Sequence, residues 1–547
     1  MKNILPLILL SIVSCTPKPE TVIPAWVPYD ESEELAANAD HESVRMQYKL
    51  IQSKNLDKNE IWKNAAEQIK YFSEKDYNKL SPLIYNQDIP TIQSHVASGA
   101  LTYESLTQWY IYRIVKYEND REKTLNAIIS INPNAVEEAR KKDKNRSADD
   151  HPIYGMPVLL KDNINTEAVP TTAGAHALLN NQTRDAFITQ RIKARGGIIL
   201  GKTNLSEWAN FLCRGCPNGY SAVGGQTLNA YGRKILDTGG SSSGSGAAMA
   251  ANYAAAAVGT ETSGSILSPS SSSSLAGLKP TVGLLSRGGI VPLSSTLDTP
   301  GPMTRNVMDN AIFLSAMTGE DPGDEATKNN PKNKQYWENL KEGTLEGIRF
   351  GVNTNFLSDS LYQLAVDQIV AQGGIAIEFE PEEINLKGFG DLLSADMKID
   401  LPKYLKDHGS DQVTVTSVAD VLSYNLEDTL KRIPYGQERF EGIIPVELNE
   451  EELAQLRINL NEAATSFFEI PMLASQLDVV LSINNWNAGL AAAARYPCLT
   501  VPMGYQENGR PMGLTFIARP FEEDKLLQLG YAFEQTTMTR KAPEGYE

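Results

Sequence analysis

The chain has 547 residues, of which 41% are hydrophobic and 21% charged, with a formal net charge of −17 and an isoelectric point near 5.0. Such a composition belongs to a soluble globular protein of one large or two ordinary domains, which excludes disorder as the state of the whole chain. The acidic balance repels polyphosphate, and with no basic run or basic-aromatic interleaving it argues against a nucleic-acid partner.

Residues 1–15 read as a lipoprotein signal peptide. Lys2 supplies a short positive region, and Ile4 to Val13 is an apolar stretch too short to span a bilayer. The ending Leu10-Ser11-Ile12-Val13-Ser14-Cys15 resembles a bacterial lipobox, which makes Cys15 the lipidation site and the membrane its anchorage. The alternatives are an ordinary cleaved signal and an uncleaved anchor. Thr16 is not the aspartate that retains such proteins at the inner membrane, so the expected location is the cell envelope, periplasm-facing or at the outer membrane. Residues 16–31, polar and Pro-containing, read as a flexible tether. Residues 32–75 carry apolar side chains at helical spacing (Val44, Tyr48, Ile51; Ile61, Ala65, Ile69, Phe72) and predict a helical N-terminal extension.

Residues 76–547 form the expected main domain. Helical patterns over Thr102 to Tyr117 and Pro133 to Asp143 lead into Tyr154 to Lys161, a short apolar strand that ends in a charge. A second strand, Gly197 to Gly201, follows the helical pattern of Phe187 to Arg195, the alternation of an α/β sheet. Pro322 to Trp337, Gly347 to Gln372, Val413 to Leu430 and Glu450 to Phe468 read as further helices and connections. An apolar section, Val479 to Pro520, precedes a last helix at Glu522 to Gln535. The cysteines Cys15, Cys213, Cys216 and Cys498 are too scattered for a disulfide framework. The pair Cys-Arg-Gly-Cys at 213–216 fits a redox motif, half a zinc site, two small loop residues or a disulfide of an oxidising compartment. No second cysteine pair or histidine pair accompanies it, so no metal is expected.

The densest chemical signal is Thr238-Gly239-Gly240-Ser241-Ser242-Ser243-Gly244-Ser245-Gly246, which runs into the alanine-rich Ala247 to Ala257. A Gly-Ser loop at a helix start aims backbone N–H groups at one point and suits an anion or a developing oxyanion. No Gly-Lys-Ser/Thr triplet follows, which rules out a nucleotide P-loop; a flexible linker is the bland reading. A second serine-bearing turn, Gly259 to Pro269, contains Ser263-Gly264-Ser265. A serine hydroxyl needs a base, yet His41, His95, His151, His176 and His408 lie in no triad context, and His176, in a Gly-Ala-His turn, reads as structural. Lysine serves as a base when desolvation leaves it neutral. Lys161 at its strand end is the candidate, although a lone lysine there is commonly a solvated edge charge.

Together these blocks resemble the amidase signature family over about Ile89 to Arg540. The lysine block is Gly155-Met-Pro-Val-Leu-Leu-Lys161-Asp-Asn163. The serine loop begins at Gly239, and the nucleophile block Gly259-Thr-Glu-Thr-Ser-Gly-Ser265 is followed by Gly277 to Leu284 and Asp298 to Arg305. The resemblance implies an α/β amidase-signature fold, a central mixed sheet covered on both faces by helices. It implies Ser265 as nucleophile, Ser241 as a bridge joined through a cis peptide bond, and Lys161 as the ultimate base and acid. It further implies an oxyanion hole from the backbone N–H groups of Thr262, Ser263, Gly264 and Ser265, and Ser242 as a supporting donor, with no cofactor. Many members carry Asp-x-Gly-Gly-Ser-Ile-Arg at the nucleophile; here Glu261, Ser263 and Leu267 stand instead, and Thr-Glu-Thr is similar to the peptide-amidase branch. That branch implies a substrate with a C-terminal carboxamide, its pocket lined by Asn204 to Tyr220 and stretches after Gly347. The alternatives are a surface lipoprotein that binds an amide or peptide without cleaving it, and the amidase subunit of a transamidosome.

Overall fold

Strand and helix alternate along most of the chain, and the computed structural model describes this for residues 20–331 and 334–547. The expected signal peptide, Cys15 and the start of the tether lie outside the described residues. Among the described residues no helix is long and apolar enough to cross a membrane.

In chain order the strands are β1 (Ile128–Ile131), β2 (Pro157–Lys161), β3 (Ile198–Thr203), β4 (Tyr220–Ser221), β5 (Gly225–Gln226), β6 (Ala256–Glu261) and β7 (Ala276–Lys279). There follow β8 (Thr299–Thr304), β9 (Arg349–Asn353), β10 (Ile375–Phe379), β11 (Val479–Ile483), β12 (Cys498–Tyr505) and β13 (Pro511–Ile517). Apart from the β4–β5 ribbon they form one sheet in the order β1-β3-β2-β6-β8-β7-β12-β13-β11-β9-β10. The sheet is mixed: β2 runs parallel to β3 and β6, whereas β6 and β8 are antiparallel. Successive residues of β11 enter different apolar clusters, Val479 and Leu481 one and Val480 the other, because strand side chains alternate faces. Helices therefore cover both faces, as the α/β reading requires.

The N-terminal extension is not a separate body. The expected boundary at 75/76 falls inside a helix, Glu74–Ile84, and Trp62 and Ile69 share one apolar cluster with Trp109 of the helix Tyr103–Glu118. The tether reading is corrected over residues 20–31 as well, because backbone polar groups there find fixed partners. Thr21 donates to Phe72 O at 2.8 Å, Trp26 N–H donates to Asn59 Oδ1 at 2.8 Å, and the Trp26 ring carries the Lys58 amine at 4.3 Å. Residues 347–372, read among further helices and connections, contain the strand β9 before the helix Ser360–Ala371. The helix Phe389–His408 was left unassigned from sequence, having Pro402 in its interior.

What positions the site is the helix Ser243–Ala250, buried along its whole length. Apart from Met249 it is built of Gly, Ser and Ala, which permit close approach: a β-carbon on Gly246 would stand 2.9 Å from Ser273 Oγ. This helix leads directly into β6, so the loop before it and the turn after β6 reach the same end of the sheet. The next helix, Leu267–Ser272, carries part of the serine run Ser270 to Ser274, which is buried against the sheet. A β-carbon on Gly277 would collide with Ser270 Oγ, and one on Gly513 would stand 2.7 Å from Ser271 Oγ.

Such packing leaves no room for an added side chain. Gly277→Val should lower the unfolding free energy by about 2 to 3 kcal/mol through overpacking, read from the urea midpoint. Gly390, at the start of the helix Phe389–His408, has open space beyond its Cα; Gly390→Ala should instead raise stability by about 0.5 to 1 kcal/mol.

Candidate active site

Lys161 closes β2, and the strand buries it completely. Its Nζ lies 2.7 Å from Ser241 Oγ, 2.9 Å from Thr260 Oγ1 and 3.2 Å from the Thr260 carbonyl. The two hydroxyls can accept from this amine or donate to its lone pair, so the contacts serve both its charged and its neutral form. Burial pushes the amine down to about 7, while Asp298 and Glu261 act in the opposite direction. Among the described residues Lys161 makes no ion pair, unlike the equally buried Lys202, whose amine is 3.0 Å from Asp162 Oδ1. Lys161 thus differs from Lys202 in having hydroxyls and a carbonyl, and no carboxylate, around its amine.

The serine loop is pinned from several sides. The Gly240–Ser241 peptide bond is cis. The Ser241 carbonyl accepts the Ser206 N–H at 3.0 Å, and Ser242 Oγ both donates to the Thr260 carbonyl at 3.1 Å and accepts the Thr260 N–H at 3.2 Å. Ser242 N–H donates to the Ser265 carbonyl at 3.2 Å, which ties this loop to the second serine turn. Behind it, Asp237 Oδ1 accepts the Gly239 N–H at 2.7 Å and the Asn218 amide at 3.0 Å. Asn218 in turn accepts from Arg45 at 2.9 Å, and Arg45 also reaches the Cys216 carbonyl. Cys213 and Cys216 form a disulfide. The N-terminal extension and the disulfide loop together brace the serine loop, a role that local sequence pattern could not show.

Ser265 sits past the end of β6, 8% exposed, and among the described residues its hydroxyl makes no hydrogen bond. Gly264 beside it has φ +92°, the left-handed conformation that glycine adopts without steric cost. Among the described residues the N–H groups of Thr262, Ser263 and Ser265 have no protein acceptor; that of Gly264 interacts with Glu261. A cluster of free N–H donors next to a hydroxyl can hold an oxyanion.

A cavity of about 280 Å³ opens against Asn163, Thr260 and Thr262. Its walls come from the loop between Arg287 and Pro300 and from Asp400, Lys403, Tyr404, Asp407 and His408 of the helix Phe389–His408. Of the expected lining, Ala209 and the helix after Gly347 are present, whereas the Arg287 to Pro300 loop was not foreseen. Asn163 donates to Thr260 Oγ1 at 3.0 Å and so orients the hydroxyl that contacts Lys161. His176 is bonded through Nδ1 to the Tyr424 hydroxyl at 2.7 Å, in keeping with a structural histidine. Among the described residues no group of His, Cys, Asp or Glu could hold a metal ion.

The model of the Amidase family matches residues 106–387. A probable amidase of Arabidopsis thaliana is 35% identical over 463 residues, covering 81% of this chain and 88% of that protein. Among solved structures, an amidase family protein from Bacillus anthracis superposes with a TM-score of 0.85 at 34% identity, covering 90% of this chain and all of the other. The peptide amidase of Stenotrophomonas maltophilia gives 0.79 at 34% identity, covering 84% and 99%.

The state of Lys161 sets an expected pH profile. A base that works unprotonated is silenced below its pKa, so turnover should fall about tenfold per pH unit below about 7 and level off above it. Lys161→Arg, charged at every working pH, should lose about 10³-fold in kcat; a pH series of initial rates on both proteins checks this.

Proposed function

The chain belongs to the amidase family and is an amidohydrolase, and from that premise we propose that it cleaves a carboxamide through Ser265, Ser241 and Lys161, with a peptide C-terminal amide as its substrate. The observation that carries the reading is the buried, ion-pair-free Lys161 amine 2.7 Å from Ser241 Oγ, in a loop hydrogen-bonded to the Ser265 turn.

In this reading Lys161 takes the Ser241 proton while Ser241 takes that of Ser265, and the Ser265 oxygen attacks the amide carbon. The carbonyl oxygen becomes an oxyanion that the free N–H groups of Thr262, Ser263 and Ser265 receive, each worth about 3 kcal/mol in the transition state. Collapse of the intermediate breaks the C–N bond. Lys161 returns its proton through Ser241 to the departing nitrogen, releasing ammonia or an amine and leaving an ester on Ser265. Water then repeats the sequence on that ester and frees the acid. Support for a peptide amide comes from the similarity to the Stenotrophomonas maltophilia peptide amidase and from the Thr260-Glu261-Thr262 block. The cavity beside Thr262 would receive the acyl portion.

Export and anchoring belong to the same proposal. Their support is the sequence of residues 1–15, together with a disulfide at Cys213 and Cys216 of the kind that persists in oxidising compartments.

A fluorophosphonate probe should label the wild-type protein and Ser423→Ala but not Ser265→Ala, and Ser265→Ala should lose about 10⁴-fold or more in ammonia release. Equal labelling of both variants would remove the nucleophile. Within a panel of peptide, fatty and small aromatic amides, the peptide amides should give the highest kcat/KM. Metabolic labelling with an alkyne fatty acid should mark the wild-type chain in its source cells and disappear in Cys15→Ala.

A further inference from the structure

The turn that carries Ser265 is held at both ends by carboxylates. Glu261, the last residue of β6, is buried, and its Oε2 accepts the N–H groups of Ile266 at 2.7 Å and Leu267 at 3.0 Å. Asp298 comes from the neighbouring strand end, because Glu261 pairs in register with Thr299 at the start of β8. One oxygen of Asp298 accepts the Thr262 hydroxyl at 2.5 Å; the other accepts the N–H groups of Leu293 at 2.8 Å and Ser294 at 2.9 Å. Ser263, Gly264 and Ser265 lie between these anchors. With a left-handed glycine at its centre the turn has little rigidity of its own, so its geometry depends on what grips its ends.

The same two carboxylates act on the base. Their charges are the ones that oppose the burial of Lys161. On its far side Glu261 faces Lys279 of β7, whose amine among the described residues has no hydrogen-bond partner, and both lie near the buried Cys498 of β12. Asp298 faces Arg287 and Asp400 across the cavity wall. Burial raises both carboxyls above the usual carboxylate range, while the N–H and hydroxyl donors on each favour the carboxylate; a neutral amide in either place removes that charge from beside the reacting groups.

We propose that Glu261 and Asp298 are paired positioning residues: they clamp the Ser265 turn from its two ends, and their negative charges act on the Lys161 amine. The proposal rests on the assignment of Ser265 as nucleophile and Lys161 as base.

The rate of fluorophosphonate labelling, followed against pH, separates the two contributions. Glu261→Asp keeps the charge but shortens the reach toward the Ile266 and Leu267 N–H groups by one methylene; its plateau rate should fall about tenfold or more, with the limb near pH 7 staying in place. Glu261→Gln keeps an acceptor of the same reach but loses the charge. Its limb should move to lower pH, because a positive amine is no longer favoured, and its plateau should fall less than that of Glu261→Asp. Asp298→Asn, which loses one of its acceptors and its charge, should show both effects. Thermal melts establish that each variant is folded, and if Glu261→Asp is not, the limb positions of Glu261→Gln and Asp298→Asn decide. An unchanged plateau in folded Glu261→Asp, or limbs of Glu261→Gln and Asp298→Asn that coincide with the wild type, overturns the proposal while leaving Ser265 as nucleophile. No labelling of the wild-type protein at any pH would remove the nucleophile itself, and the clamp with it.

Discussion

In the proposed mechanism a single desolvated amine governs the chemistry of this molecule. Transfer of Lys161 from water into the interior disfavours its charged form, and the protein offers it hydroxyls and a carbonyl in place of a carboxylate in contact. The contrast with Lys202 is instructive: both lysines are fully buried on adjacent strands and burial pushes both amines down, but Lys202 has Asp162 at 3.0 Å to oppose it. The same residue type thus sits once against a carboxylate and once among hydroxyls. Glu261 and Asp298 temper the desolvation without abolishing it. A working amine is a balance between burial and distant charge, which is why the surrounding packing must be close and fixed.

Topology supplies that packing. Because β2 and β6 are parallel neighbours, Lys161 and Thr260 leave the sheet at the same end. The buried helix Ser243–Ala250 returns the chain so that Ser241 and the Ser265 turn meet there too. The outer brace, from Arg45 through Asn218 and Asp237 to the Gly239 N–H, recruits the N-terminal extension to the same task. Segments that look peripheral in the chain are therefore mechanically close to the site.

Much of the fold was legible in the sequence because its signals are local. The strand ending at Lys161, the alternation with Phe187 to Arg195, and the helix near Thr102 to Tyr117 depend on short-range periodicity, and the structure has each within a few residues. The juxtaposition of Lys161 with Ser241 was readable only through the resemblance of separated blocks, since no local pattern encodes an 80-residue contact. What escaped is long-range and polar. Asn163 and Asp298 are ordinary residues until the fold sets one against Thr260 and the other against Thr262. Glu261 was noticed as a departure from aspartate, yet its grip on Ile266 and Leu267 needs the turn to curl back on the strand. The 32–75 extension failed as a separate unit for the same reason, its apolar stripe being complementary to a helix far along the chain.

The serine run from Ser270 to Ser274 has the composition of a spacer, but every one of its side chains is buried, and Ser270, Ser271 and Ser273 face glycines where a single methyl group would not fit. Compositional screening would mask this stretch as uninformative. Its hydroxyls are sealed from protein kinases and glycosyltransferases in the native state, and fluorophores, epitope tags or inserted domains belong on the exposed outer helices, away from a segment that follows the Ser265 turn directly in the chain.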